Sequence, residues 1–269
     1  MGVLDGKVVL ITGAARAQGR SHAVRVAMEG ADVIAVDLCA APIALGYPPA
    51  TRDELEETAT LVEKHGRRAV TAVADVRDQA ALDSAVGRGA QELGGLDVVV
   101  ANAGISSWGR FWEMPDEVWR ATIDINLTGA WRTFRAAVPT MIEQGRGGSL
   151  IAISSVAGIK ALPGQAHYTA AKHGLVGLVK AAAIELGPYR IRANSIHPWG
   201  VDTPMAHDPA VHAMLEAHPT YARSFAAVLD DPVLASPEDI SDAVVWLASD
   251  ASRRVTGIQL PVDMGATAV

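Results

Sequence analysis

Tyr168 and Lys172 stand four residues apart in the run Tyr168-Thr-Ala-Ala-Lys172. On a helix that spacing puts both side chains on one face, so a phenol and an ammonium can point into one cleft. A free tyrosine, with a pKa of about 10, is a poor base at neutral pH. A fixed positive charge beside it favours the phenolate and brings Tyr168 into range as a general acid–base. Ser155 lies 13 residues before Tyr168, where its hydroxyl can hold a substrate oxygen beside the phenol. Singly, each has an ordinary reading: a partly buried aromatic, a solvated charge, a helix cap. Together they describe proton transfer at a hydroxyl or carbonyl oxygen.

Such chemistry needs a second reactant held nearby. Residues 12–19 read TGAARAQG, after the apolar run KVVLIT and before a helical pattern. In that context a glycine loop is more than a pattern match. Gly13 permits a tight turn and Gly19 lets the helix pack close to a strand. The free backbone N–H groups around Arg16, Ala17 and Gln18 can then face a pyrophosphate. Asp37 closes the second strand-like run, DVIAVD, with Leu38 next to it. A carboxylate there accepts hydrogen bonds from adenosine ribose hydroxyls and repels a 2′-phosphate. Arg16 pulls toward NADP, but a phosphate would have to be buried beside Asp37, so NAD is the expected cofactor. Asp75-Val76 after the third strand and Asn102-Ala103-Gly104 after the fourth fall in register with these features, although Asp75 alone would serve equally as a turn cap.

The elements that must position these residues follow from periodicity. Short β-branched runs at 7–12, 32–37, 69–74, 96–101, 149–154, 191–197 and 257–262 alternate with helical stretches. Strand–helix alternation without hairpin turns predicts an α/β fold: a single-domain, Rossmann-like, doubly wound parallel sheet with helices on both faces, spanning residues 1–269. Thr51 with Glu54, and Ser236 with Asp239, have capping-box spacing, and Pro237 fits the first turn of a helix. Two segments break the alternation. Residues 38–50, LCAAPIALGYPPA, are too long for an ordinary strand–helix connection. Pro42, Pro48 and Pro49 stiffen it, and Ile43, Leu45 and Tyr47 can pack over an adenine; the alternative is an elaboration at a subunit contact. Residues 204–235, rich in Pro, Ala, His and Met, read as a substrate lid.

The bulk numbers set limits. Of 269 residues, 49% are apolar and 20% charged, enough for a sizeable core. Net charge is −7 without a basic stripe, which argues against a nucleic-acid partner. No apolar run reaches membrane-spanning length, and the first twelve residues lack a signal-peptide layout, so a cytoplasmic location is expected. The single cysteine, Cys39, excludes an intrachain disulfide and is expected to be a small core residue. His22, His197, His207, His212 and His218 show no metal-ligand spacing, so no metal is expected. His167 adjoins Tyr168 but faces a different direction on a helix.

Together, TGxxxxxG at the amino end, Asn126 in DINLTG, Ser155 and the Tyr168–Lys172 pair resemble the short-chain dehydrogenase/reductase family over nearly the whole chain. The resemblance implies that Lys172 also holds the nicotinamide ribose, that Asp75 embraces the adenine, and that Asn126 steadies a helix and a water leading from the lysine. It also implies that Pro198, Gly200, Val201 and Thr203, in HPWGVDTPM, meet the nicotinamide carboxamide and the phosphates. The chain departs from the family pattern at Ala17, usually glycine, at Ala101, usually asparagine, and in the order Trp199-Gly200. GAARAQGRSHAVR, the long loop after Asp37 and HPWGVDTPM resemble actinobacterial carveol-dehydrogenase-like members described as mycofactocin-coupled. That resemblance implies a cover over NAD and a separate redox carrier, mycofactocin, that reoxidises the cofactor in place. The family also implies a homotetramer built through helices near 165–186 and 237–249, the second offering Ile240, Val244, Val245 and Leu247.

Trp108, Trp112, Trp199, Met205 and Met214 are the expected lining of an apolar substrate pocket, and no Arg or Lys cluster marks a phosphorylated or acyl-carrier substrate. The expected function is NAD-dependent interconversion of a hydrophobic secondary alcohol and its ketone. Two alternatives stand: a carbonyl or ketoacyl reductase with freely exchanging NAD(P)H, and an NAD(H)-binding redox sensor without turnover.

Overall fold

The structure is a computed structural model that describes residues 2–229 and 231–269. Strands β1 (Val8–Thr12), β2 (Asp32–Asp37), β3 (Ala69–Val73), β4 (Val98–Ala101), β5 (Gly148–Ile153), β6 (Ile191–Pro198) and β7 (Gln259–Val262) form one sheet in the order β3-β2-β1-β4-β5-β6-β7. Every neighbouring pair is parallel. Each expected strand is present, displaced by two residues at most. The helices between them are α1 (Ala17–Met28), α2 (Arg52–Glu63), α3 (Gln79–Leu93), α4 (Asp116–Ile123), α5 (Gly129–Gln144), α6 (Ala166–Leu186), α7 (Pro209–Ala217) and α8 (Pro237–Ala248). Both anticipated capping boxes form: Thr51 accepts the Glu54 N–H at the start of α2, and Ser236 accepts the Asp239 N–H at the start of α8. Among the described residues no helix is long and apolar enough to cross a membrane.

Two apolar layers sandwich the sheet, as the twofold alternation of a strand requires. Val8 and Leu10 of β1, with Ile34 and Val36 of β2, face α3, α5 and α6, where Leu82, Phe134 and Leu175 meet them. Val9, Ile11, Val33 and Ala35 face α1, α2 and α8, against Ala23, Val26, Leu55 and Ile240. This corrects one expectation. Ile240, Val244, Val245 and Leu247 are buried in the chain's own core because α8 packs on α1, so none of them is free for a subunit contact. Cys39 also departs from its expected place: it is half-buried in the loop after β2, in a left-handed conformation (φ 54°), and burial raises its thiol to about 11.

Three buried histidines make stability pH-dependent. His22 of α1 bonds Ser241 of α8 through Nδ1 (2.8 Å), His167 meets Ser107 (2.8 Å), and His197 lies in β6. Burial lowers His22 to about 3 and His167 and His197 to about 4. An unfolded histidine takes up a proton near pH 6.5, which the native side chains refuse until far lower. Below pH 6.5 the unfolded state therefore binds more protons, and stability falls with falling pH. Thermal melts between pH 7 and 5, where carboxylates remain ionised, are expected to show a falling midpoint, with a shallower fall in His22→Gln. A flat profile over that range would contradict the neutral-histidine assignment.

Candidate active site

The strand order reverses between β1 and β4, since β1 is followed in sequence by β2 on one side and β4 lies on the other. Open parallel sheets bind ligands in the crevice beyond the carboxyl ends of such strands. A cavity of about 590 Å³ opens there. The loop after β1, Asp37 at the end of β2 and Leu38 beyond it, Asp75 and Val76 after β3, and Asn102, Ala103 and Gly104 after β4 line it, with Thr203, Pro204 and Met205 contributing from the segment after β6.

The glycine loop is fixed by close backbone packing. Gly13 has φ 68°, and a Cβ there would meet Ala103 Cα at 2.9 Å. A Cβ on Gly19 would fall 1.9 Å from the Gly13 carbonyl oxygen, so only glycine lets α1 approach the turn. Thr12 Oγ1 accepts the N–H groups of Asn102 and Ala103 (both 3.2 Å), and the Asn102 amide donates to Thr12 O (2.9 Å) and Gly13 O (3.2 Å). Asn102 therefore clamps the loop as well as lining the cavity. Ala17 holds a left-handed conformation (φ 49°), which costs a residue with a Cβ about 1 kcal/mol and gives the physical reason why glycine is usual at that position. At α1's start Arg16 makes no side-chain cap, and the Gln18 Oε1, buried in this wall, has no partner. Uncapped N–H groups, a cradle with no room for Cβ atoms and an orphaned acceptor fit a dinucleotide's pyrophosphate and hydroxyls.

Asp37 accepts the N–H of Ala15 (3.0 Å) and of Cys39 (2.9 Å), one on each oxygen. A carboxylate so placed retains lone pairs toward the cavity. Asp75 is held by Arg77, whose Nε and Nη2 and backbone N–H all donate to its carboxylate, and it lines the cavity as well. Arg16 does not wait for a 2′-phosphate. Its guanidinium donates to the carbonyls of Pro48 (2.5 Å) and Pro49 (3.3 Å), tying down the 38–50 loop. That loop supplies residues 40–50 of the cavity wall, with Ile43 and Leu45 packed against the core. Tyr47 Oη accepts the Ser106 N–H (3.2 Å) and donates to Ser106 O (3.4 Å). At Gly46 a Cβ would lie 2.1 Å from Asp208 Oδ1, so the loop also abuts the residue that caps α7.

Ser155, Tyr168 and Lys172 lie outside this lining. Tyr168 and Lys172 lie one turn apart on α6, with Lys172 Nζ 5.3 Å from the tyrosine ring centroid. Lys172 is buried, and its ammonium donates to Ile153 O at the end of β5 (2.8 Å). Ser155 follows β5 and opens a 3₁₀ turn, Val156–Gly158. Its Oγ accepts the Ala157 N–H (3.1 Å), leaving the hydroxyl proton free to donate. Burial pushes Tyr168 up to about 12, opposed by the neighbouring Ser155 side chain, and pushes Lys172 down to about 7. The expected lowering of Tyr168 is therefore not present in the chain alone, where desolvation dominates and burial disfavours the lysine's charge as well.

Asn126 sits in a π-helical segment, Asp124–Thr128, between α4 and α5, an irregularity frequent at functional sites. Its amide donates to Ile105 O and Thr122 O (both 2.9 Å), and its Oδ1 accepts the Ile105 N–H (3.2 Å). It fixes the loop after β4. Gln165, the residue before α6, donates to Ser106 Oγ (2.6 Å) and ties that same loop to the helix carrying Tyr168.

The apolar candidates separate. Trp108 and Trp199 both pack on Phe225, with centroids 5.7 and 5.8 Å apart. Trp199, Phe225 and Tyr168 share a cluster with Leu162 and Val156. Met214 and Trp108 meet at Gly164, where a Cβ would lie 3.3 Å from each. Trp112 does not join them: it is 60% exposed, edge-on to Phe111 with Arg110 over its face. Met205 lines the cavity at the carboxyl edge of the sheet instead. In the segment after β6, Gly200 takes the left-handed turn (φ 48°), which accommodates the reversed Trp199-Gly200 order. Pro198 ends β6, and buried Val201 bridges Ala235. The aromatic Phe225 escapes the sequence reading, being a lone aromatic in an irregular segment, as do the hydrogen bonds of Tyr47 to Ser106.

The fold and this arrangement define the class, and comparison with known proteins agrees. The family model described as enoyl-(acyl carrier protein) reductase matches residues 13–267. An uncharacterized NAD-dependent oxidoreductase of Mycobacterium tuberculosis is 52% identical over 98% of this chain and 97% of its own length. The (−)-trans-carveol dehydrogenase of Rhodococcus erythropolis is 46% identical over 99% of both. A crystal structure of carveol dehydrogenase from Mycobacterium avium in complex with NAD superposes with a TM-score of 0.94 at 47% identity, covering 100% of both chains. The chain belongs to the short-chain dehydrogenase/reductase family. It is an NAD-dependent oxidoreductase acting on CH–OH groups.

Proposed function

We propose that the chain interconverts a hydrophobic, alicyclic secondary alcohol and its ketone, with Tyr168 carrying the proton and NAD retained beneath the 38–50 loop. The observation that carries the substrate class is the apolar and aromatic wall beside Tyr168: Leu162, Trp199 and Phe225, extended by Trp108 and Met214, with Lys160 over the Trp199 ring and donating to the Ala266 carbonyl. Such a wall suits a compact hydrocarbon ring bearing one polar group. Carveol, named for the Rhodococcus and Mycobacterium relatives, has that chemistry.

Bound NAD supplies the hydride acceptor for oxidation. Gly13, Ala17, Gln18 and Gly19 would hold its pyrophosphate, Asp37 the adenosine ribose, Asp75 and Val76 the adenine, and Thr203 with the backbone near Pro198, Gly200 and Val201 the nicotinamide end. Ser155 Oγ–H donates to the substrate oxygen and fixes it. The alcohol proton passes to the Tyr168 oxygen during oxidation and returns from it during reduction. Lys172, when charged, stabilises the phenolate and reaches the ribose. Asn126 sets the loop that faces this group. Residues 204–235 act as the lid over the substrate.

Retention of NAD is supported by the wall made from residues 40–50 and its ties through Arg16 and Tyr47. An external carrier, mycofactocin by the sequence resemblance, would then reoxidise the cofactor in place. Denaturing freshly purified protein and weighing the released nucleotide tests this: near-stoichiometric NAD or NADH is expected. Empty protein overturns retention, and NADP overturns the role given to Asp37. Arg16→Ala removes two charge-assisted hydrogen bonds to the loop and is expected to speed NAD release about tenfold, measured by displacement with labelled NAD. An unchanged rate would separate Arg16 from retention.

A further inference from the structure

A buried imidazole lies under Ser155. His197 lies on β6, fully buried, one residue before the segment that turns toward the cavity. Its Nδ1 is 2.7 Å from the Ser155 carbonyl oxygen and its Nε2 2.9 Å from Ser195 Oγ. A carbonyl can only accept, so Nδ1 carries the proton and donates, and Nε2 accepts from the Ser195 hydroxyl. The same Ser155 carbonyl also accepts the Gly158 N–H (2.9 Å), while Ser155 Oγ accepts from Ala157. The serine's peptide is thus held from two sides: by its own turn and by the imidazole. The imidazole is close-packed as well. A Cβ on Gly158 would lie 3.1 Å from its Cε1 and 2.8 Å from Lys172 O, which places His197 in the floor shared by Ser155 and the helix turn bearing Lys172.

We infer that His197 is a positioning residue of the reaction: it donates from Nδ1 to the Ser155 carbonyl and thereby fixes the direction of the Ser155 hydroxyl toward the substrate oxygen. The inference rests on the reading that Ser155 holds that oxygen. A neutral ring suits the task, because one nitrogen must donate and the other accept, and burial keeps His197 neutral at physiological pH. Correct aim matters because displacement of a catalytic group by about 1 Å can cost on the order of 10²-fold in rate.

Two isosteric replacements separate this role from simple packing. An asparagine amide places an N–H near the Nδ1 position, whereas a glutamine amide reaches the Nε2 position and leaves the Ser155 carbonyl unserved. His197→Asn is expected to keep kcat within about threefold of wild type. His197→Gln is expected to lower kcat roughly 10- to 100-fold, with the content of bound NAD after purification unchanged. Ser155→Ala alone should cost about 10²–10³-fold, as loss of a donor to a developing oxyanion does. The Ser155→Ala/His197→Gln double variant should be no slower than Ser155→Ala, since His197 then has nothing left to aim. Equal kcat in the Asn and Gln variants, or a Gln loss that multiplies fully with the Ser155→Ala loss, overturns the inference. Full turnover in Ser155→Ala would instead overturn the underlying reading of Ser155, so the two failures are distinguishable.

Discussion

Replacing Tyr168 by phenylalanine is expected to lower turnover about 10²–10⁴-fold, the range over which a positioned acid–base contributes, while bound NAD is retained. The ring stays in its cluster with Trp199 and Phe225, so packing is conserved and only the proton carrier is lost. The pH dependence should change with it. In the chain alone burial holds Tyr168 near 12, so the phenol is protonated across the neutral range. Ketone reduction can use it directly. Alcohol oxidation needs the ionised form, whose population grows about tenfold per pH unit below the pKa. Wild-type oxidation should therefore rise with pH above 7 while reduction stays level, and the rising limb should vanish in Tyr168→Phe. Turnover undiminished in this variant would remove Tyr168 from the chemistry, whereas unchanged function in a strain carrying Tyr168→Phe would favour the redox-sensor alternative.

The second large effect is expected at Gly19. An added methyl would sit 1.9 Å from the Gly13 carbonyl oxygen and 2.9 Å from Ala14 Cα, both backbone, so neither can turn aside as a flexible side chain would. Gly19→Ala must push α1 away from the phosphate turn, and NAD affinity is expected to fall by 100-fold or more, about 3 kcal/mol. Two positions earlier the same change in reverse should be benign. Ala17 already bears the left-handed strain (φ 49°), and Ala17→Gly relieves it while adding freedom to the unfolded chain, so the melting temperature should move little and NAD binding should survive. Calorimetric titration of nucleotide-stripped protein measures both. Equal binding by Gly19→Ala and wild type would refute the close-packed loop.

Much of this architecture is legible in the residues. β-branched runs buried on both faces announce a parallel sheet, and Thr51–Glu54 and Ser236–Asp239 mark helix starts because capping is a local interaction. Tyr168, Lys172 and Ser155 are legible for the same reason: helical spacing and strand ends are short-range facts. What escapes depends on distant neighbours. Nothing near Arg16 reveals that its partners are prolines more than 30 residues away. The apolar stripe on α8 shows that Ile240 and Val244 are covered but not that α1 covers them. Of the tryptophans, Trp199 and Trp112 look alike in sequence, yet one joins Phe225 and the other faces solvent. The π-helical step that carries Asn126 has no composition of its own. The protonation balance of Tyr168 and Lys172 is set by burial, which spacing cannot reveal.

The most direct measurement is a single turnover without added cofactor. Protein carrying its own nucleotide, first oxidised with an artificial electron acceptor, is mixed with a cyclic terpenoid secondary alcohol such as carveol, and the absorbance of reduced nicotinamide is followed. The account predicts a stoichiometric rise in wild type and none on the same timescale in Tyr168→Phe that still holds NAD. An equal rise in both proteins would contradict it, as would no rise in wild-type protein shown to carry NAD across a panel of hydrophobic secondary alcohols.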